Sequence, residues 1–161
     1  MSVHFENQTV SITLPVGWTD QSDNDVLAFT NLSTHEELTI GFGQIAQCVD
    51  PAQLPDFLWR FIQSKVRAVA QLASGSFTVL DAVQPTPSIP SVGTFSGLDT
   101  KNSVYSRVSV TGHIGHFVSV TYYLHKCKAA SAETEARARV VIDMCRVKAL
   151  AAPSTASDTI N

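Results

Sequence analysis

The chain has 161 residues, a length that suits one domain able to bury a core without a metal ion or disulfide bonds. Hydrophobic residues make up 44% of the sequence and charged residues 16%, which excludes an intrinsically disordered chain. The net charge is −3 and there is no basic stripe, so the sequence argues against a nucleic-acid partner.

Three strands are predicted in the first 44 residues: residues 10–14 and 37–44, where apolar side chains recur at every second position, and the short stretch 26–30. In the run SITLPVGWTD, a proline and a glycine end the first strand and turn the chain, and Trp18 follows. We expect Trp18 to fold back into the core at the end of the sheet. A ligand platform is the alternative.

The third strand has two different faces. Leu38, Ile40 and Phe42 lie on one, and Gly41 and Gly43 lie on the other with Thr39. Glycines on one face leave room for a close approach by another element.

A long helix is predicted to begin near Asp50, which can cap it, and to end at the Ser-Gly-Ser run 74–76. Pro55 leaves its exact start ambiguous. Its apolar residues recur at helical spacing: Phe57, Leu58, Phe61, Ile62, Val66, Val69 and Leu72. Trp59 is expected in the core or at the helix–sheet edge.

More strands and a second helix are predicted in the remaining chain. The strands cover residues 77–83, 93–100, 104–110 and 118–124, with a proline-rich loop at 84–93 and a hairpin turn at 111–115. The helix covers residues 131–149 and is capped by Ser131. Residues 151–161 are predicted to be a disordered tail that follows a single domain at 1–150.

The order of strands, helix, strands and helix predicts an α+β fold, with an antiparallel sheet of about six strands and two helices packed on it.

Polar residues that could carry chemistry have simpler interpretations. His113 and His116 flank the hairpin turn as H-x-x-H, but a third metal ligand is not evident. The Asp20–Asp25 run lacks the pattern of a calcium loop and fits turn chemistry. The sequence therefore predicts no catalytic residue, no metal site and no cofactor.

Cys48, Cys127 and Cys145 are too few and too widely spaced for a disulfide framework, and we expect Cys127 and Cys145 to be buried thiols. No signal peptide and no membrane span are evident, so a cytoplasmic location is predicted.

The order of elements resembles the PsbP/DcrB-like superfamily, whose fold is related to that of a Ran-binding import factor. The resembling features are the opening strand with LPVGW at 14–18, the short hairpin to Phe42, the long helix from Asp50, three later strands ending at Leu124 and a closing helix. The run LPVGWTDQS at 14–22 is similar to one in bacterial members that are chaperones for type VI secretion effectors. Those members are usually dimeric and hold apolar effector helices, so the resemblance implies a homodimer with such a partner.

We therefore expect a non-enzymatic adaptor or chaperone that binds an apolar segment of another protein, an effector or a toxin. The residues predicted to contact the partner are Trp18, Leu38, Ile40, Phe42, Tyr105 and Tyr123. One alternative is an immunity protein that blocks one toxin through loops such as 20–25 or 84–93. Another is a small-molecule enzyme or carrier that uses His113, His116 or Trp18 and requires a pocket.

Overall fold

The computed structural model describes residues 1–45 and 50–149. Its strands are β1 Val3–Glu6, β2 Val10–Leu14, β3 Thr19–Asp20, β4 Leu27–Asn31, β5 Glu36–Gln44, β6 Phe77–Val83, β7 Ser91–Asp99, β8 Val104–His113, β9 His116–Leu124 and β10 Cys145–Val147. The helices are α1 Leu54–Leu72, preceded by a 3₁₀ turn at Pro51–Gln53, and α2 Ala132–Asp143.

Seven strands form one antiparallel sheet in the order β3-β4-β5-β9-β8-β7-β6. The long central strands are in full register, with β8 and β9 joined by a tight turn at Ile114 and Gly115 and paired from Tyr105↔Leu124 to His113↔His116. The α+β class with an antiparallel sheet and two helices is confirmed.

The two helices cover opposite faces of this sheet. On β8, Tyr105 packs in the core cluster that contains α2, whereas Val108 packs in the cluster of Leu58 and Ile62 from α1. Since residues an odd number apart on a strand point to opposite faces, α1 and α2 lie on different sides. The domain therefore has two apolar cores separated by the sheet.

A second, three-stranded sheet of order β1-β2-β10 shares the α2 face. Val10, Ile12 and Leu14 of β2 are fully buried there against Phe29 and the α2 side of the large sheet. The described chain thus has two antiparallel sheets where the pattern predicts one sheet of about six strands, and the first predicted strand belongs to the smaller sheet.

The ends of the helices follow local chemistry. The Asp50 side chain accepts a hydrogen bond from the Ala52 N–H at 3.0 Å, so it caps the 3₁₀ turn and not the longer helix. Ser131 caps α2 and is bonded reciprocally with Thr134, as its residue type predicted. The predicted extension of α2 to residue 149 is wrong, because the helix ends at Asp143 and Cys145 pairs with Ile12.

Neither helix in the part of the chain described above is long and apolar enough to cross a membrane. Cys48 and the tail predicted at 151–161 lie outside the described residues.

Candidate functional site

The six residues predicted to contact a partner do not form one surface. Four of them are side chains of the core, each at most 4% exposed: Trp18, Leu38, Ile40 and Tyr105. Phe42 is 47% exposed on the α2 face, while Tyr123 is half-buried on the α1 face. Only Phe42 and Tyr123 are therefore accessible to another molecule in this structure, and they lie on opposite sides of the sheet.

Trp18 is in the core, as predicted. It follows Gly17, whose backbone has a φ of 104°, a value that favours glycine. The ring packs in the cluster of Val10, Leu14 and Phe29 and is 4% exposed, so it cannot serve as a ligand platform in this structure.

A buried carboxylate anchors the middle of α2 to β5. Arg137 donates to both oxygens of Glu36, at 2.7 and 3.1 Å, and the hydroxyls of Tyr122 and Thr34 donate at 2.9 and 2.6 Å. Burial alone would raise the pKa of Glu36, but these hydrogen bonds outweigh it and hold the pKa below its ordinary value. The group is a structural ion pair with every oxygen engaged.

A second carboxylate anchors the start of α2 to β7 and β8. Glu135 accepts hydrogen bonds from Ser96 at 2.7 Å and from Tyr105 and Arg107 at 2.8 Å each. Burial raises its pKa and these donors lower it, with a net lowering. Burial and the neighbouring carboxylate raise the pKa of Tyr105, so its hydroxyl stays a donor. These carboxylates are engaged and have no free general-base role.

The aspartates Asp20 and Asp23 stabilise the turns of the Asp20–Asp25 loop. Asp20 accepts from the Ser22 N–H, and Asp23 accepts from the Asp25 and Val26 N–H groups, each at 2.8 Å. Within residues 1–45 and 50–149, no three His, Cys, Asp or Glu side chains come together as metal ligands.

Cys127 and Cys145 are buried and free, as predicted. Burial raises the pKa of both thiols, that of Cys145 to about 12. A thiol of that kind is a poor nucleophile at neutral pH.

An open cleft of about 590 Å³ lies where the β8–β9 hairpin meets the loop between β1 and β2. It is lined by Asn7, Gln8, Thr9, Phe42, Gly43, Gln44, His116 and Phe117. The His116 ring stacks on His113 with centroids 5.2 Å apart and planes 11° apart. The H-x-x-H spacing identified both histidines from the sequence, but the cleft itself depends on β1, which the pattern did not predict.

A second, smaller groove of about 260 Å³ runs between α1 and the edge of the large sheet. Its apolar lining comes from the helix and the last two strands: Trp59, Ile62, Val66, Val79, Ala82 and Phe95. β6 is the terminal strand of the sheet, and Val79, Leu80 and Val83 on it are 44–49% exposed. Sequence reasoning placed this strand but could not identify it as an edge.

The sequence matches no protein-family model and no curated protein. Among solved structures, the chain is similar to the solution structure of cyanobacterial PsbP (CyanoP) from Synechocystis sp. PCC 6803, with a TM-score of 0.61 and 15% sequence identity. The alignment covers 91% of this chain and 92% of that one. At this identity the likeness shows the fold alone: the chain has a PsbP-like fold.

Proposed function

We propose that this protein is a non-enzymatic adaptor that binds an apolar segment of another polypeptide at the groove between α1 and β6. The observation that carries the proposal is the exposed edge of the seven-stranded sheet. β6 pairs with β7 on one side, and its other edge pairs with no strand of the described chain. An unpaired edge offers backbone donors and acceptors to an added strand.

The groove supplies apolar contacts beside that edge. Val79 and Ala82 of β6 face Trp59 and Val66 of α1 across the groove, and Phe95 forms its floor. A segment paired with β6 would place alternate side chains against these residues, because side chains on a strand alternate between its two faces. The backbone would provide affinity, and the groove would select apolar side chains.

The edge has a feature that limits self-association. The β6–β7 register shifts between Val79 and Asp81, so Leu80 is an extra residue in a bulge. Bulges and charges at an edge discourage indiscriminate strand pairing. Asp81 lies in that bulged segment, and its Oδ2 atom is 3.7 Å from Nη1 of Arg107. The edge therefore favours a partner that also fills the groove.

The sequence resemblance suggests a type VI secretion effector as the partner and a chaperone as the specific role. The test measures binding of the purified protein, by isothermal titration calorimetry, to peptides that span the apolar segments of a type VI effector encoded in the same genome. We expect Val79→Lys to weaken binding by about tenfold or more, because it puts a charge into the groove.

Val140→Lys is the matched control. Val140 is 50% exposed on α2 and Val79 is 46% exposed, so both substitutions add one charge at a half-exposed valine. Equal affinities of the two variants would contradict binding at the groove. No binding by the unchanged protein would contradict the effector-chaperone role. A tight one-to-one complex with a folded toxin, unaffected by Val79→Lys, would instead support the immunity role.

A further inference from the structure

His116 is a buried imidazole whose ring nitrogens make no hydrogen bond with the described residues. Its side chain lines the 590 Å³ cleft, and the residue is 7% exposed. Nε2 of its neighbour His113 likewise has no hydrogen-bond partner among the described residues. A buried polar group without a hydrogen bond destabilises the fold, so each such group calls for an explanation.

The polar residues around the cleft are suited to donating hydrogen bonds. Oδ1 of Asn7 accepts from the Thr9 N–H, the Thr9 hydroxyl and the Val10 N–H, at 2.8–3.0 Å. The NH₂ group of the same amide is then the part of the side chain that can donate to a ligand. Gln44 carries a further amide, and none of the residues that line the cleft is acidic. The lining therefore favours a ligand that accepts hydrogen bonds.

A positive charge lies next to the rim. Nζ of Lys148 donates to the carbonyl oxygen of Asn7 at 3.1 Å and also pairs with Glu6. The ring of Phe42 lies on the same face of the sheet as His116 and is 47% exposed, so it gives the cleft an apolar wall. Apolar walls beside a few convergent donors are the usual composition of a small-molecule site, and the volume lies within the usual range of about 300–1,000 Å³.

We infer that this cleft is a binding site for a small amphipathic carboxylate: an apolar body against the exposed ring of Phe42, with its carboxylate held by the imidazole of His116 and the amides of Asn7 and Gln44. The site lies on the α2 face at the hairpin end, whereas the proposed adaptor groove lies on the α1 face at β6. The two proposals can therefore fail independently.

The test uses 3-phenylpropionate as the probe and 3-phenylpropan-1-ol as the uncharged analogue. Binding is followed on the full chain by NMR, through the ring ¹⁵N signals of the histidines and the ring signals of Phe42. We expect saturable shifts at His116 and Phe42, and an affinity for the acid at least about tenfold above that for the alcohol, since hydrogen bonds to a charged group are the stronger ones.

Two variants separate the site from general effects. His116→Phe keeps a stacked ring and removes both nitrogens, and we expect it to lower the affinity for the acid to about that for the alcohol. His125→Phe removes a more exposed imidazole just beyond the other end of β9 and should leave both affinities unchanged. Absence of saturable shifts with the unchanged protein, or equal affinities for acid and alcohol, would overturn the proposal.

Discussion

The sequence predicted that Trp18 lies in the core, and its burial makes a direct prediction at the scale of one residue. Trp18→Ala removes a ring that is 4% exposed and packed on Val10, Leu14 and Phe29, so we expect it to lower the free energy of unfolding by about 3–5 kcal/mol. Urea unfolding measures the loss. Val16→Ala, at a neighbouring valine that is 74% exposed, is the control and should cost close to nothing.

Leu38 and Ile40 show what residue patterns cannot reveal. Their alternation correctly indicated a strand with one apolar face, but the same pattern is expected for a core face and for a partner-binding face. β2 and α2 cover them, and both elements are far away in sequence. Phe42, two residues on, remains exposed beyond the covered stretch and lines the cleft. Alternation thus located the row, and tertiary packing decided which members are accessible.

At the scale of elements, the two glycines of β5 have different roles. A Cβ atom on Gly43 would lie 2.2 Å from the Phe117 ring, which in turn contacts Phe57 and Phe61 of α1. A Cβ on Gly41 would have no atom within 4 Å. The predicted close approach is therefore present at Gly43 and absent at Gly41.

We accordingly predict that Gly43→Ala destabilises the packing of α1 on β9, because Phe117 is 8% exposed and has little room to move. The expected loss is about 1–3 kcal/mol, the usual cost of overpacking. Gly41→Ala, on the same face of the same strand, should be neutral or slightly stabilising. Denaturant unfolding of the two variants compares them, and equal losses would show that strand propensity and not the Phe117 contact sets the effect.

The end of α2 illustrates why element boundaries escaped prediction. The apolar spacing from Ala136 to Val147 fits a helix, yet the chain leaves the helix at Asp143 and pairs Cys145 with Ile12. That pairing depends on a strand more than a hundred residues earlier, so no local pattern contains it. The same applies to β1, whose contacts with β2 complete the small sheet and the wall of the cleft.

At the scale of the whole molecule, two carboxylates hold α2 across the sheet. Glu36 joins it to β5 through Arg137, and Glu135 joins it to β7 and β8 through Ser96, Tyr105 and Arg107. The apolar contribution of α2 comes mainly from Ala138, Val141 and Ile142, which is modest for a helix that covers a core. Attachment of the helix therefore depends in large part on ionised carboxylates.

This arrangement makes stability depend on pH. The folded-state pKa of both Glu36 and Glu135 is below the ordinary value of 4.5, so their contribution is present above about pH 4.5 and is lost as the pH falls through the folded-state pKa. We predict a nearly constant free energy of unfolding from pH 7 to pH 5 and a decline below about pH 4.5.

Glu135→Gln should lower the free energy of unfolding by about 2–3 kcal/mol at pH 7, because it leaves the buried guanidinium of Arg107 without its closest carboxylate. It should also flatten the decline in acid. Urea midpoints at a series of pH values measure both effects. Glu133→Gln, at an exposed glutamate two residues earlier in α2, should reproduce the unchanged profile. An acid decline as steep in Glu135→Gln as in the unchanged protein would show that other carboxylates govern it.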